Sequence, residues 1–122
     1  MNGPQPDDRL YLQHILDAII RIESHVMGID RPRFDSTPVI QDAVVRQLQI
    51  IGEASKRLSL QLRDTSTSVP WRKITGMRDK LVHDYMGVDL EAVWLTVQDD
   101  LAPLKKDVEE LLGGAGTWSN SA

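Results

Sequence analysis

The stretch MRDKLVHDYMG, residues 77–87, brings an arginine, an acid, a histidine and a tyrosine close together in the chain. On a helix turning about 100° per residue, this stretch shows an apolar stripe that also contains Arg78. An arginine in such a stripe must be paired, or must lie where two molecules or a ligand meet, because a lone buried charge is very costly. Asp79 and His83 are four residues apart and would share a second helical face. His83 is the candidate for proton transfer near neutral pH.

Two interpretations of Arg78 remain open at this point. In the first, its guanidinium holds a ligand, for which the planar fork of arginine suits phosphate. In the second, it forms a structural salt bridge to an acid of the core. Glu53 is the acid we would name, because Gly52 and Ala54 flank it on an apolar helix. Both interpretations can hold together.

Composition limits the class of protein. The chain has 122 residues, 41% of them hydrophobic, which predicts one domain with a substantial core. It has no cysteine and three histidines, so disulfides and thiolate metal sites are excluded and no protein metal site is expected. The N-terminus does not resemble a signal peptide, and no apolar run approaches the roughly 18 residues of a membrane span. We therefore expect a cytoplasmic protein with no membrane partner.

The net charge of −4 bears on possible partners. Proteins that coat nucleic acid are usually basic, so the acidic balance argues against that class. A local positive cleft that holds RNA at a few phosphates remains possible. The same balance leaves acidic surface for a basic partner.

Helical periodicity dominates the first half of the chain. Residues 1–6 are expected to be disordered, and a helix capped by Asp7 or Asp8 is predicted to run to about Gly28. Residues 30–37 read as a polar turn. A second helix should begin at Pro38, with Ser36 or Thr37 as its cap, and continue to about residue 63.

The second half follows the same pattern. A polar loop is predicted at 64–69, then a short helix starting at Pro70-Trp71 that leads into the motif. Gly87 should end the helix carrying His83, and Asp89 should cap a last helix that reaches residue 112, which Pro103 should bend or break. Residues 113–122 are expected to form a flexible tail. The prediction is an all-α protein: one domain over residues 1–112, an antiparallel bundle of four long helices plus a short one.

The motif resembles a known signature. Arg78-x4-His83-x-Tyr85, with polar Asp79 after the arginine, is similar to the Arg-x4–6-His pattern of the HEPN superfamily. Three further parts resemble the HepT-type toxins, the HEPN halves of two-component modules with a small nucleotidyltransferase. They are QDAVVR with IIGEA (41–46 and 50–54), VPWRKI (69–74) and VDLEAVW (88–94). The resemblance spans about residues 8–112. Asp79 departs from the asparagine often found after the arginine.

The resemblance implies a HEPN-like all-α fold, a homodimer, and a metal-independent ribonuclease without a cofactor. It also implies a partner, a minimal nucleotidyltransferase antitoxin that transfers AMP onto the motif tyrosine. Carried onto this sequence, Arg78 and His83 are catalytic and Tyr85 is the site of AMPylation. Asp79 and Arg46 are supporting residues, Arg46 as a contact to RNA phosphate.

The chemistry of RNA cleavage fits these residue types. The 2′-hydroxyl can attack the adjacent phosphorus without a metal if a base removes its proton and a cation stabilises the phosphoryl oxygens. On a regular helix Arg78 and His83 diverge by about 140°, so we predict that a symmetric dimer brings two motifs together. The alternative is a non-catalytic helical binding subunit of a nucleotidyltransferase complex, in which the same residues bind phosphate without chemistry.

Overall fold

The computed structural model describes residues 6–76 and 87–113, together with the backbone of residues 82 and 83. The predicted tail at 114–122 and the predicted disorder at 1–5 lie outside these residues. Pro6, which was expected to be disordered, is instead the first residue of a helix.

Two long helices form the centre of the molecule. They are α1, Pro6–Val26, and α3, Pro38–Lys56, joined by the short helix α2, Arg31–Asp35. They pack along most of their length through the stripes predicted from helical spacing. The fully buried members of these stripes are Leu12, Ile15, Ile19, Ile22, Val44, Leu48 and Ile51. Burying each aliphatic side chain of this size stabilises the fold by about 1.5–3 kcal/mol.

The segment predicted as a polar turn contains α2. A carboxylate oxygen of Asp30 accepts the backbone N–H of Arg33 at 2.9 Å, which caps the helix, and Pro32 lies in its first turn. Phe34 is completely buried, and its ring lies 5.3 Å from that of Trp94. The prediction of a turn was wrong because this one apolar residue draws the segment onto the core.

The long helix predicted from Pro38 to about residue 63 is two helices. Pro38 begins α3 as predicted, and Thr37 occupies the cap position without a side-chain cap bond. The chain then leaves the helix after Lys56, and α4, Leu60–Thr65, begins beyond Ser59. The predicted loop at 64–69 is correspondingly shorter.

Asp8 accounts for the start of α4. Its carboxylate is 2% exposed and accepts two hydrogen bonds from Ser59, from the N–H at 2.8 Å and from the hydroxyl at 2.7 Å. The Ser59 Oγ in turn accepts the N–H of Leu62 at 3.1 Å. Asp8 lies inside the first turn of α1, so the prediction that it caps its own helix was wrong. It supports the cap of another helix instead.

A short helix, α5, Trp71–Thr75, precedes the motif as predicted, and it packs on α3. The backbone then forms a small antiparallel pair, β1, Val82–His83, with β2, Gly87–Val88. The predicted helix through His83 was therefore wrong. Residues 82 and 83 are not helical because they pair with the neighbouring strand. Backbone N–H and C=O groups that bond between strands cannot also form the hydrogen bonds of a helix.

The last helical run contains α6, Leu90–Leu95, a π-helical turn, Thr96–Asp100, and α7, Leu101–Leu112. Asp89 caps α6 as predicted, accepting the N–H of Ala92 at 3.0 Å. Pro103 was expected to bend or break the helix, but the chain continues through it. The π turn lies just before Pro103, which has no N–H to bond the carbonyl four residues earlier, so the irregularity falls where the helical ladder is weakest.

The all-α class is confirmed. Over the described ranges the chain shows three long helical runs, α1, α3 and the run from α6 to α7, with three short helices between them. The expected four long helices are not found there, because the second is divided into α3 and α4 and residues 82 and 83 form a strand. Within the same residues, no helix combines the length and the apolar character that crossing a membrane requires.

Candidate active site

The motif follows directly after α5, and the packing of α5 sets where it begins. Trp71 and Ile74 are buried, and the indole N–H of Trp71 donates to the carbonyl of Ser66 at 3.2 Å. The N–H of Gly76 donates to the carbonyl of Arg72 at 3.1 Å and closes the helix. The chain therefore enters residues 77–87 from a firmly packed position on α3.

The backbone of His83 is held beside Gly87. In the two-stranded pair, His83 lies opposite Gly87 and Val82 lies opposite Val88. Gly87 has a φ of +109°, a backbone conformation that residues other than glycine rarely adopt. Two residues later Asp89 caps α6. The structure thus ties the backbone of the motif histidine to the start of α6 through its pairing with Gly87, whose backbone conformation favours glycine.

The remaining motif residues, Arg78, Asp79 and Tyr85, lie outside the described residues. The pairing of His83 nevertheless corrects the geometry expected for them. The shared face of Asp79 and His83, and the divergence of about 140° between Arg78 and His83, both assumed one continuous helix. Since His83 lies in a strand, neither argument applies. The expectation of a dimer that was based on helical pitch therefore loses that support.

Arg46 and Glu53 lie on α3, and both are exposed. Their spacing of seven residues places them on the same helical face. Glu53 was expected to be an acid of the core, and that expectation was wrong. Gly52 and Ala54 on either side of it are buried, but the turn of 100° per residue carries the side chain between them outward. Glu53 is therefore a partner for groups at the surface of α3.

Two cavities border the described helices. A shallow groove of about 310 Å³ lies between α1 and α3, with His14, Arg21 and Gln47 in its wall. His14 also meets the ring of Tyr11 edge-on, with centroids 5.9 Å apart. His14 and His25 are exposed.

The second cavity, about 130 Å³, lies between α5 and the run from the π turn into α7. Sequence reasoning did not find it. Its only sequence signal is the spacing of Asp99, Pro103 and Asp107, four residues apart along the last helix. Across the described part of the chain, no three His, Cys, Asp or Glu side chains come close enough to hold a metal ion together.

Comparison with known proteins agrees with the fold and the motif. A model of the family described as "Ribonuclease HepT-like" matches residues 15–111, which includes the whole motif. The "Putative RNase TTE0752" of Caldanaerobacter subterraneus subsp. tengcongensis is 42% identical over 112 residues, 92% of this chain and 96% of that protein. The "Probable ribonuclease HepT" of Thermococcus cleftensis is 42% identical over 101 residues, 83% of this chain and 92% of that protein.

A longer relative shows the same similarity in a different context. The "Gamma-glutamylcyclotransferase and putative RNase MJ0434" of Methanocaldococcus jannaschii is 37% identical over 106 residues, which are 87% of this chain but 48% of that protein. No solved structure matches this chain significantly. The family match over most of the chain and the identity to these relatives agree with the resemblance seen in the motif. The chain belongs to the ribonuclease HepT-like family.

Proposed function

We propose that this chain is a metal-independent endoribonuclease, the toxin of a toxin–antitoxin module, with Arg78 and His83 as its catalytic residues. The observation that carries the proposal is the family match over residues 15–111, which contains the complete Arg78-x4-His83 motif. The relatives named above carry ribonuclease names, and the similarity covers nearly the full length of two of them.

The reaction is an internal transfer at phosphorus. The 2′-oxygen of one nucleotide bonds to the adjacent phosphorus, and the bond from phosphorus to the 5′-oxygen of the next nucleotide breaks. The 2′-hydroxyl loses its proton to a base, and the leaving 5′-oxygen gains one from an acid. The products are a 2′,3′-cyclic phosphate and a free 5′-hydroxyl. His83 transfers protons, and Arg78 holds two phosphoryl oxygens and stabilises their charge.

A homodimer would supply the two proton-transfer groups that this reaction needs. Each protomer offers one motif histidine, while the reaction needs both a base and an acid at one phosphate. Two motifs that face a shared cleft meet that requirement. Asp79 would support the motif, Glu53 would pair with Arg78, and Arg46, exposed on α3, would add a contact to RNA phosphate.

Replacing either catalytic residue tests the activity. We expect His83→Ala to lower RNA cleavage by about 10²–10⁴-fold, the usual contribution of a positioned proton-transfer group. Arg78→Ala should lower it by about 10²–10³-fold, the usual cost of losing one group that stabilises charge in the transition state. The assay uses purified protein, structured and single-stranded RNA, and EDTA, with product ends identified by mass spectrometry. His25→Ala, an exposed histidine of α1, is the matched control and should cleave like the wild type.

The same assay separates the enzyme from the alternative binding subunit. Cleavage in EDTA with cyclic phosphate ends supports the ribonuclease. Binding of RNA or nucleotide by a wild-type protein that never cleaves would favour the non-catalytic subunit. Full cleavage by the His83 variant would remove the catalytic assignment.

Control by an antitoxin is the second part of the proposal. The partner is a minimal nucleotidyltransferase that joins the α-phosphate of ATP to the Tyr85 oxygen and releases pyrophosphate. The adenylate would place a phosphate and a base at the motif, where they block RNA. We expect incubation with the cognate minimal nucleotidyltransferase and ATP to add one adenylate to the peptide containing Tyr85 and to stop cleavage. Tyr11→Phe should be modified normally and Tyr85→Phe should not; adenylate on another residue would contradict the assignment.

A further inference from the structure

The cavity between α5 and the last helical run has an apolar floor. Ile74 of α5 and Leu104 of α7 are both buried and line it, and Pro70 and Pro103 border it. Its volume of about 130 Å³ is the size of one aliphatic side chain or a few methylene groups. We refer to it as the acidic pocket, because its rim carries the charges described next.

Three aspartates stand around this pocket, Asp99, Asp100 and Asp107, with one lysine, Lys73. The Lys73 Nζ lies 3.2 Å from a carboxylate oxygen of Asp100, so these two charges offset each other across the opening. Asp99 and Asp107 then leave the rim negative. An RNA phosphate would be repelled here, and a hydrated cation would gain nothing from the apolar floor.

The pocket continues into a strip along the helix. Leu95, Asp99, Pro103 and Asp107 follow one another at intervals of four residues and so lie on one side of the run. Leu95 is 46% exposed, so its side chain is accessible at the surface of this strip. Apolar and acidic side chains therefore alternate along a line about as long as three helical turns.

We propose that the acidic pocket and this strip bind a basic segment of a partner protein. An apolar side chain of that segment enters the pocket, and the arginines or lysines beside it pair with Asp99 and Asp107. The charge and the apolar floor select this occupant together, since either feature alone would suit other ligands. The proposal does not depend on ribonuclease activity.

Designed peptides test it on the full chain. The probes are three ten-residue peptides: alternating Leu and Arg, alternating Ser and Arg, and alternating Leu and Glu. Isotope-labelled protein is titrated with each peptide and followed by NMR. The Leu–Arg peptide should bind most tightly, with shifts concentrated at Lys73, Asp99 and Leu104. Equal binding of the Ser–Arg peptide, or shifts spread over the surface, would overturn the proposal.

Two double variants with equal charge sharpen the test. Asp99→Asn with Asp107→Asn should weaken Leu–Arg binding by about tenfold, from two partly screened ion pairs. Asp17→Asn with Asp42→Asn removes the same charge from exposed sites on α1 and α3 and should change the affinity less than about twofold. An equal loss of peptide affinity in both double variants would contradict the proposal, because it would show only a general attraction of the peptide to an acidic protein. An RNA oligonucleotide that displaced the peptide from the pocket would also overturn the proposal.

Discussion

At the scale of single residues, one buried carboxylate links the start of the chain to its middle. Asp8 accepts two hydrogen bonds from Ser59, although 51 positions separate them. A charge buried to this degree is stable only when bonded, and here both bonds go to the residue that caps α4. The interruption between α3 and α4 therefore depends on a side chain from α1.

Replacing Asp8 with alanine should destabilise the fold. The change leaves the N–H and hydroxyl of Ser59 without their acceptor and weakens the start of α4, so we expect a loss of about 2–3 kcal/mol in the free energy of unfolding. Urea denaturation followed by circular dichroism measures it. Asp7→Ala is the matched control, an exposed neighbour that should change stability by less than about 0.5 kcal/mol. Similar losses in both variants would contradict the role given to Asp8.

At the scale of elements, the small strand pair fixes the backbone of His83. It replaces the helix that the apolar spacing around His83 predicted. The pairing places the histidine backbone beside Gly87 and next to the cap of α6, so the positions of α6 and of His83 depend on each other. A strand pair of two residues on each side is marginal by itself and needs support from the packed elements beside it.

Gly87→Ala should damage activity more than stability. An alanine at a φ of +109° costs about 1–3 kcal/mol, and relaxing that strain would shift the backbone opposite His83. Gly28→Ala is the control, because Gly28 also has a positive φ of +71° and a Cβ there meets nothing within 4 Å. We expect both variants to lose stability in thermal unfolding and only Gly87→Ala to lose RNA cleavage by more than tenfold. Equal activity in both would mean that the backbone of Gly87 does not position His83 for the reaction.

At the scale of the whole molecule, α7 closes the core against α1. The two helices pack together, Ile15 and Val108 are both fully buried in the shared core, and polar contacts join the same helices. Arg9 donates to the carbonyl of Leu112 at 3.0 Å, and the Lys105 Nζ donates to Glu23 at 2.9 Å. The hydrogen bond from Lys105 to Glu23, together with the attraction between their charges, raises the pKa of Lys105 above its ordinary value of 10.5.

This contact predicts a pH dependence in the alkaline range. The folded state holds the Lys105 proton more tightly than the unfolded chain does. The stabilisation that the contact with Glu23 gives the fold is therefore complete below pH 10.5 and is lost as the pH rises through the raised pKa of Lys105. We expect the urea midpoint of the wild type to fall more between pH 10 and 12 than that of Lys105→Met. Lys106→Met, an exposed neighbour, should follow the wild-type curve; a Lys105→Met curve parallel to wild type would contradict the prediction.

Local sequence determined the parts of this protein that depend on neighbours in the chain. Helical spacing predicted the buried stripes of α1 and α3, the residues Pro38 and Asp89 marked where helices begin, and the Arg78-x4-His83 motif indicated the family. These signals are local because periodicity and capping involve residues within a few positions.

Only the tertiary structure decided the rest. Asp8 divides α3 from α4, Phe34 draws a polar segment onto the core, and the pairing with Gly87 makes a strand of a sequence with helical spacing. The acidic pocket likewise exists only where α5 meets the last helical run. Each depends on contacts between elements, and the free energy of such contacts outweighs the local preference, which amounts to a few tenths of a kcal/mol, about 0.7 at most, per ordinary residue.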